Sequence, residues 1–161
     1  MQSSNNGTLF HYRSFLSYHI DRKFDDHSLI FEKKGNIIAI LPAAELINGA
    51  NNKILHSHPG ASFGSLVNRQ SLSFKDAMNI GELLKAYADE NQFHSIVIVM
   101  YPSIYSTVHS DYFEFSLVKI GADFEKFEMS SVVNLNLSIN KIKSNIKPSH
   151  RQAERKAQRH G

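Results

Sequence analysis

The chain has 161 residues, of which 42% are hydrophobic and 20% are charged, as in folded globular domains rather than disordered chains. It contains no cysteine, which excludes disulfides, thiolate catalysis and cysteine-ligated metal sites. No stretch approaches the ~20 apolar residues of a membrane span. Because the N-terminus also lacks a signal-peptide pattern, we expect a cytoplasmic protein without a transmembrane segment.

The net charge of +3 hides an asymmetry along the chain. Residues 1–140 carry 11 Lys and Arg against 14 Asp and Glu, whereas residues 141–161 carry seven Lys and Arg against one Glu. The excess of positive charge therefore lies in the C-terminal segment. We predict one domain over residues 1–140, followed by a basic connecting helix over residues 141–161.

The first half of the sequence predicts a short helix and several strands. Thr8 is suited to cap a short helix, and a charged loop is expected over Asp21–His27. Lys34-Gly35, between two apolar segments, predicts a tight β-hairpin, and Pro42 is expected to interrupt the strand ladder. The predicted strands are Ser28–Lys33, Asn36–Leu41, Ala43–Ile47 and Lys53–His56.

The second half begins with the clearest helix signal in the chain. Ser73 and Asp76 form a capping-box pattern that predicts a helix over Phe74–Glu90. Its predicted buried stripe consists of Phe74, Ala77, Met78, Gly81, Leu84 and Ala88. The apolar run Ser95–Tyr101 is typical of a strand covered on both faces, and a strand–helix–strand order favours a mixed sheet with a crossover.

Three further elements follow. They are a helix at Asp111–Ile120 closed by Gly121, a half-buried strand at Val132–Leu137, and a basic helix over Ile139–His160 that is broken, or begins, near Pro148. Taken together, the elements predict an α/β (α+β) fold, with a mixed, mostly antiparallel sheet flanked by helices.

The segment His56–Ser65, which we call the histidine loop, holds most of the chemistry-bearing residues. Pro59-Gly60 predicts a turn, and Gly64 permits a close approach of backbone. Polar loops on a rigid scaffold often carry binding groups. The residues expected to bind substrate here are Ser57, His58, Gly60, Ser62 and Gly64.

Three other chemistries for this loop each lack a partner. His56 and His58 resemble a metal pair, but a third ligand must come from His27, Asp25, Asp26, His109 or Asp111. Ser57 and His58 point to opposite faces of a strand and lack a nucleophile elbow. The glycines match neither a phosphate-binding nor a coenzyme A loop. We therefore predict no metal and no cofactor in this chain itself.

A second polar segment, Tyr101–His109, follows the central apolar strand, and we call it the tyrosine loop. The carboxyl ends of strands line the ligand crevice in open α/β sheets, so we expect Tyr101 and Tyr105 to join the substrate site. Aromatic side chains at such places often belong to the core or rim instead. Histidine suits general-base chemistry near neutral pH, which makes His58 and His109 the candidate catalytic residues.

Several stretches spread over nearly the whole chain carry a family resemblance. They are Asn6–Phe10, Tyr18–Leu29, Ile37–Ala43, Ser57–Gly64, Pro102–Tyr105 with Asp111-Tyr112, Gly121–Phe124 and Arg151–Ala157. With these stretches the chain resembles the GNAT-fold acyltransferases of the FemAB (peptidoglycan-bridge aminoacyltransferase-like) type. The matching motifs are packing and loop signatures, and Ser65 stands where the family pattern has a second glycine.

The resemblance implies a GNAT-like domain that is the first of two in tandem. It implies transfer of an acyl or aminoacyl group to an amine or hydroxyl of a cell-envelope precursor or sugar, the substrate being a small molecule or a lipid- or nucleotide-linked sugar. It also implies an acyl donor, either acyl-CoA or aminoacyl-tRNA, for the complete enzyme. A second GNAT-like domain would supply the other wall of the cleft, so the lone chain is expected to be incomplete.

Two other functions stay open at this point. The chain is alternatively a non-catalytic module whose basic C-terminal helix binds an anionic partner, or an inactive truncated remnant. Nucleic acid is the less favoured partner, because the segment lacks a recognition-helix signature and aromatic residues between its charges.

Overall fold

The structure, a computed structural model, describes residues 4–18, 23–69, 72–129 and 131–160. Residues 21 and 22 of the predicted charged loop, residues 19–22 of one resemblance stretch, and Gly161 lie outside the described residues. The chain divides into two compact units, residues 1–125 and 126–161. In the described part of the chain, no helix combines the length and apolar character needed to cross a bilayer.

The first unit combines short strands with helices. Its strands are β1 (Asp25–Asp26), β2 (Leu29–Lys33), β3 (Asn36–Leu41), β4 (Ala43–Ile47), β5 (Lys53–Ser57), β6 (Val67–Asn68) and β7 (Ser95–Val97). Its helices are α1 (Arg13–Leu16), α2 (Phe74–Glu90) and α3 (Tyr112–Lys119), with single 3-10 turns at Leu9–His11 and Ser103–Tyr105. The predicted class, α+β with mostly antiparallel sheets flanked by helices, is confirmed.

Two sheets organise these strands. One has the order β1-β4-β5-β7 and the other the order β2-β3-β6. Lys34 and Gly35 both have positive φ angles, 51° and 74°, which is the geometry of a tight hairpin turn, and the predicted β2–β3 hairpin is confirmed. Pro42 separates β3 from β4. Because proline cannot donate to a ladder, the chain passes there from one sheet to the other.

Helix α2 has the bounds that its capping signal predicts. The Ser73 hydroxyl oxygen accepts a hydrogen bond from the Asp76 N–H at 3.1 Å, and the Lys33 ammonium contacts the Asp76 carboxylate at 2.6 Å. The buried face consists of Ala77, Ile80, Gly81, Leu84 and Ala88. Two members of the predicted stripe are not buried: Phe74 is half exposed and packs against Tyr112, and Met78 is only partly buried. Ile80, which the predicted stripe lacked, is buried.

One apolar core joins both sheets to α2 and α3. Its members are Phe31, Ala39, Leu41, Ala43, Leu55, Leu66, Ile80, Leu84, Ala88, Phe93 and Phe113. The two helices lie close together because Gly81 has no side chain: a Cβ atom there would lie 2.9 Å from the Ser116 hydroxyl oxygen. Helix α2 is also the crossover that makes β5 and β7 parallel.

Strand β7 is shorter than predicted, and this determines the geometry of the site. The sequence predicts a strand to Tyr101, whereas β7 ends at Val97. The Val99 N–H donates to the hydroxyl oxygen of Ser57 at 2.7 Å, and the Val99 carbonyl accepts from the Gly64 N–H at 3.0 Å. The backbone of Val99 therefore hydrogen-bonds to the Ser57 side chain and to Gly64 instead of continuing the ladder between β5 and β7.

The predicted strand at Val132–Leu137 is wrong. These residues are exposed and form no strand. Instead, the Asn134 side-chain oxygen accepts a hydrogen bond from the Asn136 N–H at 2.9 Å, and the Asn134 backbone carbonyl accepts one from the Leu137 N–H at 3.4 Å. Asparagine favours such local turns over strand pairing, which an alternation of apolar residues does not reveal.

The second unit contains α4 (Ile139–Asn145) and α5 (Pro148–His160). The predicted break near Pro148 is confirmed, since proline is well tolerated as the first residue of a helix. Lys147, Arg151, Arg155 and Arg159 recur at intervals of four residues. This spacing places Arg151, Arg155 and Arg159 along one side of α5, with Lys147 directly before its first residue.

Candidate functional site

The candidate site lies at the carboxyl ends of β5 and β7. These strands are paired in parallel from Ile54 and Ser95 to His56 and Val97. Beyond His56 they are linked through the Ser57 hydroxyl and the Gly64 N–H, both of which bind Val99. The histidine loop is therefore attached to both strands at the place where α/β sheets commonly bind ligands.

The histidine loop contains the turn that its sequence predicts. Gly60 has a φ angle of 89°, and the Ala61 N–H donates to the His58 carbonyl at 3.4 Å. Gly60 and Ser62 are exposed, whereas Ser57, His58 and Gly64 are buried. The turn thus presents two of the five predicted binding residues to solvent.

The histidines of this loop lie partly or wholly inside the protein. His58 is 4% exposed, and its Nδ1 lies 3.0 Å from the Pro59 carbonyl oxygen. Since a carbonyl only accepts, Nδ1 carries a proton in this geometry. His56 is half-buried; burial lowers its pKa, and the Ser57 carbonyl and Glu125 oppose that effect.

The tyrosine loop contacts the histidine loop through aromatic rings. The centroids of Tyr105 and Phe63 are 5.4 Å apart. The Ser106 hydroxyl donates to the Tyr101 hydroxyl oxygen at 3.4 Å. Tyr105 and His109 are exposed. The structure therefore brings together the two loops that the sequence predicts to meet.

An N-terminal segment that the sequence analysis did not assign to the site holds in place the tyrosine loop and the residues that follow the histidine loop. The Asn5 side chain donates to the Val108 carbonyl at 2.9 Å and accepts from the Val108 N–H at 2.7 Å. The Asn6 side chain binds the backbone of Leu66 and Asn68 in the same way, at 2.8 and 3.1 Å. These contacts join residues that are 60 to 103 positions apart in the chain. The adjacent pair Asn5-Asn6 is the one feature of the local sequence that points to them.

His11 completes this N-terminal support. The Thr8 N–H donates to its Nδ1 at 3.1 Å, so the neutral ring carries its proton on Nε2, which donates to the Gly64 carbonyl at 2.9 Å. Burial lowers the pKa of His11, against the effect of these two hydrogen bonds. The ring is therefore best satisfied when it is neutral.

The predicted site residues thus fall into two groups. Ser57, His58, Gly64 and the partly buried Tyr101 lie inside, and Ser57 and Gly64 connect the loop to Val99, while the exposed residues are Gly60, Ser62, Tyr105 and His109. The exposed group can contact a bound molecule directly, and the buried group fixes the shape of the loop. In the described part of the chain, no three His, Asp or Glu side chains converge on a common point.

Comparisons with known proteins add little to this geometry. No protein-family model matches the chain, and no curated protein is significantly similar to it. Among solved structures, the chain is similar to TTHA1254 from Thermus thermophilus. A single-residue mutant of that protein has a TM-score of 0.46 and 11% identity, over 68% of this chain and 72% of that chain. The wild type has a TM-score of 0.44 and 11% identity, over 66% and 70%.

Proposed function

We propose that this chain is the GNAT-like first domain of an acyl or aminoacyl transferase. Its substrate would be an amine or hydroxyl on a cell-envelope precursor or on a small, lipid-linked or nucleotide-linked sugar. The observation that carries the proposal is the joining of the histidine and tyrosine loops at the carboxyl ends of the parallel pair β5–β7, where α/β sheets bind ligands. Two of the FemAB-type stretches, Ser57–Gly64 and Pro102–Tyr105, fall in these loops.

The proposed reaction needs few groups from this domain. The acceptor nitrogen or oxygen attacks the acyl carbonyl carbon while a general base takes the acceptor's proton. The bond from that carbon to the donor's sulfur or oxygen then breaks, and the leaving thiolate or alkoxide takes up a proton, so that the donor is released as a free thiol or hydroxyl. Gly60, Ser62 and Tyr105 are exposed and line the acceptor's side of the proposed cleft. His109 is directly accessible as a base, whereas His58 is buried, with its ring against that of Phe24.

The acyl donor, acyl-CoA or aminoacyl-tRNA, is assigned to the complete enzyme. A second GNAT-like domain would supply the opposite wall of the cleft. We therefore expect weak binding of the acceptor by this chain alone and catalysis only when both walls are present, because substrate positioning supplies much of the rate.

The test expresses the genomic coding sequence that contains this chain. Transfer from acetyl-CoA and from aminoacyl-tRNA to amino-sugar acceptors is followed by mass spectrometry. His58→Gln and His109→Gln are compared with His94→Gln, an exposed histidine that precedes β7 at the opposite end of the strand. Replacing the histidine that acts as the base should lower kcat/KM by about 10²–10⁴-fold, and the His94→Gln variant should retain activity.

Two results would contradict the proposal at different levels. Absence of transfer from either donor class to any acceptor would reject the transferase function. Transfer that persists in both His58→Gln and His109→Gln would leave the function but reject both histidines as the general base.

A second candidate function is binding of an anionic partner through α5. The observation in its favour is the row Arg151, Arg155 and Arg159 along one side of the helix, with Lys147 directly before its first residue. Heparin retention should then fall steeply with salt. It should also fall when Arg155 and Arg159 are replaced by Gln, whereas replacing Lys141 and Lys143 of α4 should matter less. Retention insensitive to salt would exclude this candidate.

A further inference from the structure

A cavity of about 480 Å³ lies beside β7. Its walls come from the end of α2, from β7 and the residues after it, and from α3 and the turn that follows; no residue of β5 lines it. The apolar part includes Ile96, Ile98, Met100, Leu117 and Val118. A cavity of this size can receive several side chains, and the sequence analysis did not anticipate it.

Strand β7 forms the edge of its sheet at this place. Among the described strands it pairs with β5 alone. Since each strand directs backbone N–H and C=O groups to both sides, the outward groups of β7 have no strand partner among the described residues. Such an edge is a template for a further strand. Native proteins commonly cover an edge of this kind with another segment.

The cavity and the edge are suited to the same occupant. Side chains of a strand alternate between the two faces of a sheet, so a strand added to β7 would direct every second side chain toward α2 and α3. Ile96 and Ile98 on the β7 side and Leu117 on α3 offer apolar contacts to those side chains. An isolated small molecule would leave the backbone edge unpaired.

The charges of the lining indicate the chemistry of the partner. Three carboxylates, Asp89, Glu114 and Asp123, line the cavity, against a single ammonium group on Lys85. A second copy of this chain, paired edge to edge, would bring like charges together, which is unfavourable. Burial raises the pKa of Glu114, so a cation beside this carboxylate would offset the cost of its desolvation.

We propose that the free edge of β7 and its adjoining cavity dock an extended peptide strand of a partner protein. The strand has apolar side chains at alternate positions and Lys or Arg at its ends. Its backbone extends the sheet, its apolar side chains fill the cavity, and its basic ends pair with Asp89, Glu114 and Asp123. This surface contains none of the exposed residues of the proposed transferase site, although Met100 in its lining contacts Ser65 of the histidine loop, and the proposal does not depend on that function.

The test uses the full chain and a fluorescent nine-residue probe, acetyl-Lys-Thr-Val-Thr-Ile-Thr-Val-Thr-Lys-amide. Binding is measured by anisotropy and mapped by amide chemical shifts, which should change at Ser95–Met100. Two further probes carry N-methyl groups on all odd or all even residues. Strand pairing predicts that one of them binds at least about tenfold more weakly, because only one set of N–H groups faces β7, while the other still binds.

Variants test the charge requirement. Replacing Asp89 and Asp123 together by Asn should weaken binding about 3- to 10-fold. Glu82→Gln, on the exposed face of α2 outside the cavity, is the matched control and should bind normally. A probe with Glu in place of its two Lys residues should bind more weakly than the original.

Several outcomes would overturn the proposal. Equal binding of both N-methylated probes would mean that side chains enter the cavity without strand pairing. Equal binding of the Glu-ended probe would reject the basic partner. Concentration-dependent dimerisation that blocks the probe would assign the edge to a second copy, and absence of any shift at Ser95–Met100 would reject the site altogether.

Discussion

His11 donates a hydrogen bond from Nε2 to the carbonyl oxygen of Gly64 at 2.9 Å, although 53 residues separate them. The bond joins the N-terminal segment to the histidine loop at the residue whose N–H binds Val99. One backbone position thus receives support from two distant parts of the chain. The position of the loop therefore depends on a hydrogen bond from a residue outside it.

We expect stability to fall as the pH decreases below about 6.5, the ordinary pKa of histidine that also applies to the unfolded chain. Burial lowers the pKa of His11 in the folded state, so the unfolded chain binds more protons and stability is lost as pH falls toward the folded value. A histidine with a lowered pKa in the folded state makes the free energy of unfolding change by up to about 1.4 kcal/mol per pH unit. Urea unfolding at a series of pH values between 7.5 and 5 measures this dependence.

His11→Gln separates this contribution from that of other groups. Glutamine has an N–H that can donate to Gly64 without a titration, so the variant should show a smaller pH dependence. His56, whose pKa burial also lowers, supplies part of the remaining slope. If wild type and His11→Gln lose equal stability over this range, the coupling between His11 and folding is wrong.

Gly64→Ala should destabilise the protein by about 1–3 kcal/mol, as overpacking of a tight interior does. A Cβ atom at this position would lie 2.7 Å from the Ser57 carbonyl oxygen and 2.9 Å from its carbonyl carbon, and backbone atoms cannot rotate away. Chemical denaturation measures the loss. Gly49→Ala, at an exposed turn where a Cβ atom meets nothing within 4 Å, is the control. Equal effects would disprove the steric argument.

The backbone at position 65 has a conformation that favours glycine, so the constraint there is the backbone angle and not the space for a side chain. Its φ angle is 79°, a region that costs a non-glycine residue about 1 kcal/mol or more. Ser65→Gly should therefore be more stable than Ser65→Ala by about 1 kcal/mol, since both lose the 3.3 Å contact from the hydroxyl to the Met100 sulfur but only alanine keeps the strain. Alanine equal to or better than glycine in thermal unfolding would contradict this ranking.

Local signals in the sequence were sufficient for several elements of the fold. The cap at Ser73 sets the start of α2, Lys34-Gly35 sets the β2–β3 hairpin, and Pro42 separates two sheets. These residues act through their own backbone geometry, so neighbours along the chain suffice to predict them. The end of β7 was missed because Val99 is bound by Ser57, 42 residues away.

The place of the candidate site could also be predicted from the sequence, whereas the residues that support its loops could not. The carboxyl-end rule for parallel strands places the histidine and tyrosine loops together without knowledge of specific contacts. Asn5, Asn6 and His11 could not be chosen from sequence, because asparagine and histidine side chains bind any backbone group within reach. Which loops they reach is decided by the packing of the whole unit.

Ser57→Ala should cost about 1–2 kcal/mol of stability, because it leaves the Val99 N–H without its 2.7 Å partner at a part-buried position. Ser62→Ala, in the exposed part of the same loop, should remain within about 0.5 kcal/mol of wild type. Urea titration compares the two. A Ser57→Ala variant as stable as Ser62→Ala would show that this hydroxyl does not hold the ends of β5 and β7 together.

Glu114→Gln should stabilise the protein at neutral pH. Burial raises the pKa of Glu114 in the folded state, and Asp111 adds to the effect against a backbone hydrogen bond. The folded state therefore favours the protonated carboxyl group. The stability that this group contributes is fully present below its ordinary pKa of 4.5 and is lost as the pH rises through the raised pKa of the folded state.

The Glu114→Gln variant should match the stability of wild type near pH 4 and exceed it near pH 7 by less than about 1 kcal/mol, since the side chain is only half-buried. Thermal unfolding at both pH values checks this, with Glu82→Gln as the exposed control. A Glu114→Gln variant less stable than wild type at pH 7 would mean that the carboxylate has a stabilising partner, and the cavity beside β7 would then lose part of its attraction for a basic strand.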